Sequence, residues 1–273
     1  MRLIVFVALS SMVLSAQDTI HNSSTQAGFS KSVHFAAQPW FGVPITGAPY
    51  SGEVTIENLQ TLVDGTHIRL AVIPTKVYRD SAGRTREERP VFEGAADKAP
   101  SGAESLTIIE ISDPVAKVRY VLDPHERVAH KQAMFVADPP VSRRTGLPVS
   151  GTAAAAPAIR AVPPSVAQTA TEKLAPQVME GVLSEGTRTS TTWPTNSQGN
   201  DRPIVAVVES WRSPELQVRM LIKTFDPRSG EHVVRLTNIS RSSPDASLFQ
   251  PPAEYTVVEE KDDFIIRYGP IPW

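Results

Sequence analysis

Apolar and polar residues alternate with a period of two along much of this chain. The pattern is clearest in LQVRMLIK at 216–223, KVRYVL at 117–122 and DDFIIRY at 262–268. Such alternation predicts β-strands with one buried and one exposed face. The run PIVAVVESW at 203–211 is apolar at odd and at even positions, which predicts a central strand that is covered on both faces.

Short turn signals separate these segments at regular intervals. Asp-Gly stands at 64–65 and DSAG at 80–83, and Asp-Pro stands at 113–114, 123–124 and 226–227. No long stretch has helical periodicity. The sequence therefore predicts a mainly β protein, a meander of antiparallel strands that forms a curved sheet or open half-barrel with few helices.

Composition divides the chain into five segments. Residues 1–16 combine Arg2, an apolar run and the small pair Ser15-Ala16, the layout of a secretory signal peptide. Export to the periplasm or the exterior is expected, with no membrane span left after cleavage. A flexible segment is predicted at 17–43, a first β block at 44–137, an Ala/Pro-rich disordered linker at 138–176 and a second β block at 177–273. We expect the two blocks to share one sheet system.

The charged segment YRDSAGRTREER at 78–89 raises the question of a catalytic cluster. DSAG supplies a turn in which Asp80 accepts backbone hydrogen bonds and Gly83 takes a positive φ. The strand RTREER that follows has no apolar residue, so both of its faces are expected to be wet. A structural hairpin is favoured over a catalytic pair of carboxylates, and no desolvated carboxylate is predicted here.

Most other chemistry has no signal in the sequence. The 273 residues include no cysteine, and a net charge of −2 with interspersed basic residues gives no reason to expect nucleic acid. Serine-hydrolase elbows and phosphate-binding loops are missing, so no cofactor is expected. In HERVAH the histidines His125 and His130 are five apart rather than four, which predicts a turn leading into a strand instead of a zinc site.

A curved sheet that does not fill its own interior leaves an apolar concavity, and such a space suits a lipid or another hydrophobic ligand. The second β block holds most of the aromatic residues that could line it. Ordinary core packing is the alternative role of each. The candidate ligand-binding residues are Val207, Trp211, Met220, Ile222 and Phe249.

The C-terminal half resembles the LolA/LolB-like superfamily of lipoprotein carriers and lipoprotein-sorting proteins. The similarity rests on the turn DPRSG at 226–230, Asn238-Ile239, Leu248-Phe249 and Pro251-Pro252, and the hairpins in ISDPVAKVRYVLDPHERVAHK are similar to mid-sheet strands of that family. It covers about a third of the chain, which also resembles a group of uncharacterised exported bacterial proteins. The resemblance implies an open half-barrel over a cavity that receives acyl chains. The expected covering helix is replaced here by the Ala/Pro-rich linker.

These observations favour an exported, non-catalytic envelope or periplasmic protein that binds a lipid or a lipid-anchored partner. One alternative is a protein–protein interaction module with a filled core. A less favoured alternative is a hydrolase with dispersed acids, for which Asp80, Glu87 and Glu209 are the candidates and a salt-bridged Glu209 is the simpler interpretation.

Overall fold

The computed structural model describes residues 20–25, 28–36, 39–40, 44–71, 74–90, 107–136 and 167–271. The signal peptide predicted at 1–16 and most of the predicted linker lie outside the described residues. Within those ranges the chain forms strands and one 3₁₀ turn, Ala246–Phe249, and no helix there is long and apolar enough to cross a bilayer.

The strands, in chain order, are β1 (Ile20–Thr25), β2 (Gly28–Phe35), β3 (Pro39–Trp40), β4 (Tyr50–Thr61), β5 (His67–Ala71), β6 (Thr75–Arg79), β7 (Thr85–Pro90), β8 (Thr107–Asp113), β9 (Val118–Asp123), β10 (Val128–Ala133), β11 (Phe135–Val136), β12 (Gln168–Met179), β13 (Val182–Trp193), β14 (Ile204–Ser213), β15 (Val218–Asp226), β16 (Gly230–Ser240), β17 (Thr256–Glu259) and β18 (Phe264–Ile271).

Thirteen of these strands form one sheet. Its order is β12-β13-β14-β15-β16-β4-β6-β7-β8-β9-β10-β17, with β5 paired to β4 beside that path. Neighbours are antiparallel except for β10 and β17, which run parallel. The outer strands β12 and β17 do not pair with each other, so the sheet is open. The mainly β prediction with a large open antiparallel sheet is confirmed. Strands of both sequence blocks meet in this sheet through the β16–β4 pair.

Three tight hairpins share one turn design. The sequences DPVAKV at 113–118, DPHERV at 123–128 and SPELQV at 213–218 each place a positive φ on the residue before the valine: Lys117 (+56°), Arg127 (+53°) and Gln217 (+52°). In each turn the side chain of the first residue accepts a hydrogen bond from a backbone N–H two or three residues later, as Asp113 does from Val115 at 2.9 Å. This local bonding explains why the Asp-Pro pairs predicted turns correctly.

A small sheet of β1, β2 and β18 covers part of the large one. Its residues Val33, Phe35, Phe264 and Ile266 pack with Ile108 and Val121 of β8 and β9. On the other face of β8–β10, the 3₁₀ turn inserts Phe249 among Ile111, Leu122 and Ala129. The strands β8–β10 are therefore buried on both sides.

Several sequence predictions differ from the structure. The segment 17–43, predicted to be flexible, contains β1, β2 and β3, because β2 pairs with β18 some 230 residues away, a non-local contact that no local pattern shows. The predicted linker ends earlier than expected, since β12 begins at Gln168 and occupies 168–176 by pairing with β13.

Two predictions about coverage are also wrong. The sequence predicts that both faces of β7 are exposed to solvent. In the structure β7 lies between β6 and β8, and its Arg86 side chain is buried. Conversely β14 is central, but most of its residues are only half-buried and Val205 is 40% exposed, so it is not covered on both sides. In both cases the neighbours, rather than the strand's own composition, determine burial.

Candidate functional site

The five predicted ligand-binding residues do not form one continuous wall. Cross-strand register pairs Ser210 with Ile222 and Trp211 with Leu221, which places Ile222 and Trp211 on opposite faces of the β14–β15 pair. Val207 lies opposite Phe225 and is half-buried, and Phe249 belongs to the separate cluster beside β8–β10. Their proposed role in binding stays a prediction.

Trp211 and Met220 do meet, in what we call the central apolar cluster. Its buried members are Tyr50, Val77, Val182, Trp211, Leu216, Val218, Met220 and Leu236. The partly buried Leu174 and Leu221 pack against it.

Gly186 makes the position of Trp211 possible. It is the cross-strand partner of Trp211, and a Cβ added at Gly186 would come within 2.6 Å of the indole ring. The indole thus lies directly over a glycine and fills the space that a side chain would take.

An open cleft borders this cluster at the edge of the sheet. It has a volume of about 460 Å³. We call it the β12–β14 cleft, and it is lined by Lys173, Leu174, Pro176, Glu185, Gly186, Thr187, Ser210 and Arg212. Leu174 lines the cleft and also packs against the central apolar cluster. Its cross-strand partner Gly186 pairs in turn with Trp211, so these three residues lie on the face opposite the polar lining.

Register explains how the polar lining comes together. Lys173 lies opposite Thr187, Thr187 opposite Ser210, and Glu185 opposite Arg212, so these five side chains share one face of β12–β14. A register shift between Leu174 and Gln177 interrupts the β12–β13 ladder at the same place.

The opposite face of the same strands carries a complete ion-pair ladder. Arg188 donates to Glu209 through Nη2 at 2.6 Å and to Glu172 through Nη1 at 2.9 Å. Both carboxylates raise the pKa of Arg188. Glu209, the strongest acid candidate for a hydrolase, is thereby a structural partner of Arg188.

The other two hydrolase candidates, Asp80 and Glu87, lie on the β6–β7 hairpin, away from Glu209. Asp80 accepts from the backbone N–H groups of Ala82 and Arg84 and from Arg84 Nε at 2.6 Å, so it holds the predicted turn, which is confirmed. Glu87 lies on β7, far along the sheet from Glu209 on β14. In the part of the chain that the structure describes, no group of His, Asp and Glu side chains has the geometry of a metal site.

Glu87 nevertheless has an environment that the sequence did not predict. It lies directly opposite Glu110 on β8, and burial, followed by the charge of Glu110, raises the pKa of Glu87 to about 8. Glu110 in turn accepts from Arg119 Nε at 2.7 Å, beneath the ring of Phe35. Phe35 of the small sheet thus covers the Arg119 end of this polar row.

Arg79 contacts the central apolar cluster at Tyr50 and Leu216. Its Nε and Nη2 donate to the carbonyl of Ala48 at 3.0 and 2.8 Å, and Nη2 also donates to the carbonyl of Leu216. The guanidinium lies 4.7 Å from the ring centre of Tyr50. Burial lowers the pKa of Arg79, and burial raises the pKa of Tyr50 to about 12.

Sequence reasoning missed the cleft because it placed β12 in the linker. QTATEKLAPQVM has neither alternation nor aromatic residues, and it is almost wholly exposed. Its strand state depends on β13, and the sequence contains no local signal for that pairing.

Comparisons with known proteins show structural likeness only. No family model matches the chain, and no curated protein matches it. An uncharacterised conserved protein from Thermus thermophilus has a TM-score of 0.37 and 11% identity over 78% of this chain and 91% of its own.

Solved structures similar to this chain also include LolA superfamily proteins. A putative outer membrane lipoprotein-sorting protein domain from Vibrio parahaemolyticus has a TM-score of 0.18 and 8% identity, over 74% of this chain and 89% of that one. A LolA superfamily protein from Nitrosomonas europaea has a TM-score of 0.20 and 12% identity, over 76% and 92%. All three TM-scores are below 0.5.

Proposed function

We propose that this is an exported, non-catalytic protein of the cell envelope or periplasm that binds a lipid or a lipid-anchored partner. The observation that carries the proposal is the open β12–β14 cleft, whose Leu174 packs on the apolar cluster of Trp211 and Met220. A cleft of about 460 Å³ falls in the range of small-molecule sites. The apolar N-terminal run at residues 3–14 supports export.

Acyl chains would supply the affinity by leaving water. Each buried CH₂ group contributes roughly 0.8 kcal/mol. Trp211 and Met220 are the proposed apolar contacts of a chain bound at the cleft, together with Leu174, which packs against their cluster. Val207, Ile222 and Phe249 remain proposed lipid contacts outside this cluster.

Native mass spectrometry of the protein purified without detergent from a bacterial periplasm tests the proposal. We expect a retained adduct that organic extraction identifies as lipid, and uptake of a fluorescent fatty acid. Leu174→Ser should weaken uptake several-fold, because it places a hydroxyl where the chain would lie. Val178→Ser is the matched control, since Val178 is on the same strand and 71% exposed.

The contrary result is a clean apo mass with no probe uptake, or equal uptake by the two serine variants. That outcome would favour an interaction module of the envelope. A specific feature supports this second candidate: the β4–β5 hairpin exposes Leu62, Val63, Ile68 and Leu70 to solvent.

A further inference from the structure

Two cations of the β12–β14 cleft have no carboxylate partner among the described residues. Lys173 makes no ion pair there, and Arg212 has one hydrogen bond, a 3.3 Å contact from Nη2 to the carbonyl of Gln217. A third cation, Arg219, lies directly opposite Arg212 on β15. Burial and then the charge of Arg212 lower the pKa of Arg219.

The other face of the same strands is arranged differently. There Arg188 satisfies both Glu172 and Glu209. On the cleft face Glu185 is the only acid in the described lining, and it makes no ion pair with Arg212 although the two are cross-strand partners. The lining of the cleft thus has two positive charges against one negative, and Arg219 adds a third positive charge beside it.

Neutral donors and a break in the ladder complete the site. The hydroxyls of Thr187 and Ser210 lie side by side on adjacent strands between Lys173 and Arg212. At the β12–β13 register shift, Ala175 and Pro176 oppose Glu185 alone, and Pro176 has no N–H to offer the ladder. Bulges of this kind are common next to binding sites.

We propose that the β12–β14 cleft binds a phosphate group. A guanidinium fork, an ammonium and two hydroxyls match the several acceptor oxygens and the charge of a phosphate. The phosphate belongs either to a lipid headgroup or to a free phosphate compound. The inference depends on the polar lining of the cleft and does not require that an acyl chain binds beside it.

Calorimetric titration of the full-length protein with three ligands tests the inference. The ligands are inorganic phosphate, dihexanoyl phosphatidic acid and, as the control with the same acyl chains and no phosphate, dihexanoylglycerol. We expect inorganic phosphate or phosphatidic acid to bind, with an affinity that falls as salt is raised. Lys173→Gln combined with Arg212→Gln should weaken binding about tenfold or more, since each cation contributes a charge-assisted contact.

Two further variants separate a binding role from a structural one. Glu185→Gln removes the one negative charge of the described lining and should tighten binding several-fold. Lys223→Gln is the matched control, because Lys223 belongs to the opposite face and is paired to Glu231 at 2.9 Å. It should leave the affinity unchanged.

Each outcome has a definite meaning. Binding of inorganic phosphate that the double variant loses supports the site with a free phosphate as ligand. Binding of phosphatidic acid alone, lost in the same variant, supports it with a lipid headgroup. Binding of neither ligand, or equal affinity in wild type and double variant, overturns it. Retention of an uncharged lipid without phosphate binding would leave the proposed function standing and overturn only this inference.

Discussion

At the scale of single residues, the neighbouring side chain rather than the residue type determines how a charged residue behaves. Arg86 and Glu88 face one side of β7 and pair with each other at 2.8 Å. Their neighbour Glu87 faces the other side, where it meets Glu110. The charged segment RTREER at 84–89 thus contains both an ordinary ion pair and a carboxyl group whose pKa is raised to about 8.

Glu87 should make the protein less stable as the pH rises. An unfolded chain releases this proton near pH 4.5, whereas the folded protein holds it until about pH 8. Between these values the folded state binds the extra proton, so the free energy of unfolding falls with increasing pH. Thermal unfolding from pH 5 to pH 8.5 should show this fall, and Glu87→Gln should reduce it because glutamine stays neutral.

Glu88→Gln is the control for that measurement. It removes the ion pair with Arg86 on the opposite face, so it should lower stability without reducing the fall in stability that Glu87 causes as the pH rises. A Glu87→Gln variant with the same pH slope as the wild type would show that Glu87 is ionised in the folded protein.

At the scale of elements, the repeated turn and the edge strand show two ways in which a strand is specified. The turns DPVAKV, DPHERV and SPELQV carry their own side-chain hydrogen bonds, so the hairpins they close were predictable from the sequence. The strand β12 has no such local signal, and it exists because β13 offers a ladder. The difference is one between local and non-local hydrogen bonding.

The shared turn has a residue in a strained conformation that substitution can relieve. Gln217 has a φ of +52° and an exposed side chain. A left-handed conformation costs a non-glycine residue about 1–2 kcal/mol, part of which glycine returns as unfolded-state entropy. Gln217→Gly should therefore raise the free energy of unfolding by up to about 1 kcal/mol, as measured by denaturant titration.

Gln217→Ala keeps the Cβ and serves as the control. It should bring no gain, because the steric cost of positive φ remains. Equal stability of the glycine and alanine variants would mean that the turn holds this residue without strain.

At the scale of the whole molecule, the chain ends complete the structure. β2 near the N-terminus and β18 near the C-terminus pair with each other, and together they cover β8 and β9. β17 adds the last strand of the large sheet by running parallel to β10. The described part of the chain therefore depends on contacts between residues that are far apart in sequence.

Phe264 tests this dependence. It stacks on Phe35 at 5.0 Å and on His130 at 4.5 Å between the two sheets. Phe264→Ala should lower the free energy of unfolding by about 3 kcal/mol or more. Ile265→Ala, at the adjacent position and 49% exposed, should cost less than about 1 kcal/mol.

Denaturant unfolding of both variants measures how much the packing of the small sheet on the large one contributes to stability. Equal losses would show that the small sheet contributes little to stability. A larger loss for Phe264→Ala, together with dye binding to newly exposed apolar surface, would show that the paired chain ends hold the two sheets together.

The sequence by itself determined what depends on near neighbours: the strands around 117–122 and 216–223, the hairpin turns, and the burial of Met220, Ile222 and Phe264 on alternating positions. Tertiary structure alone decided what depends on distant partners. It assigned Trp211 and Ile222 to opposite faces, made 168–176 an edge strand, and brought Lys173 and Arg212 to one cleft. Strand periodicity defines two faces but does not state which neighbour lies on either of them, and that neighbour sets the burial and pairing of each side chain.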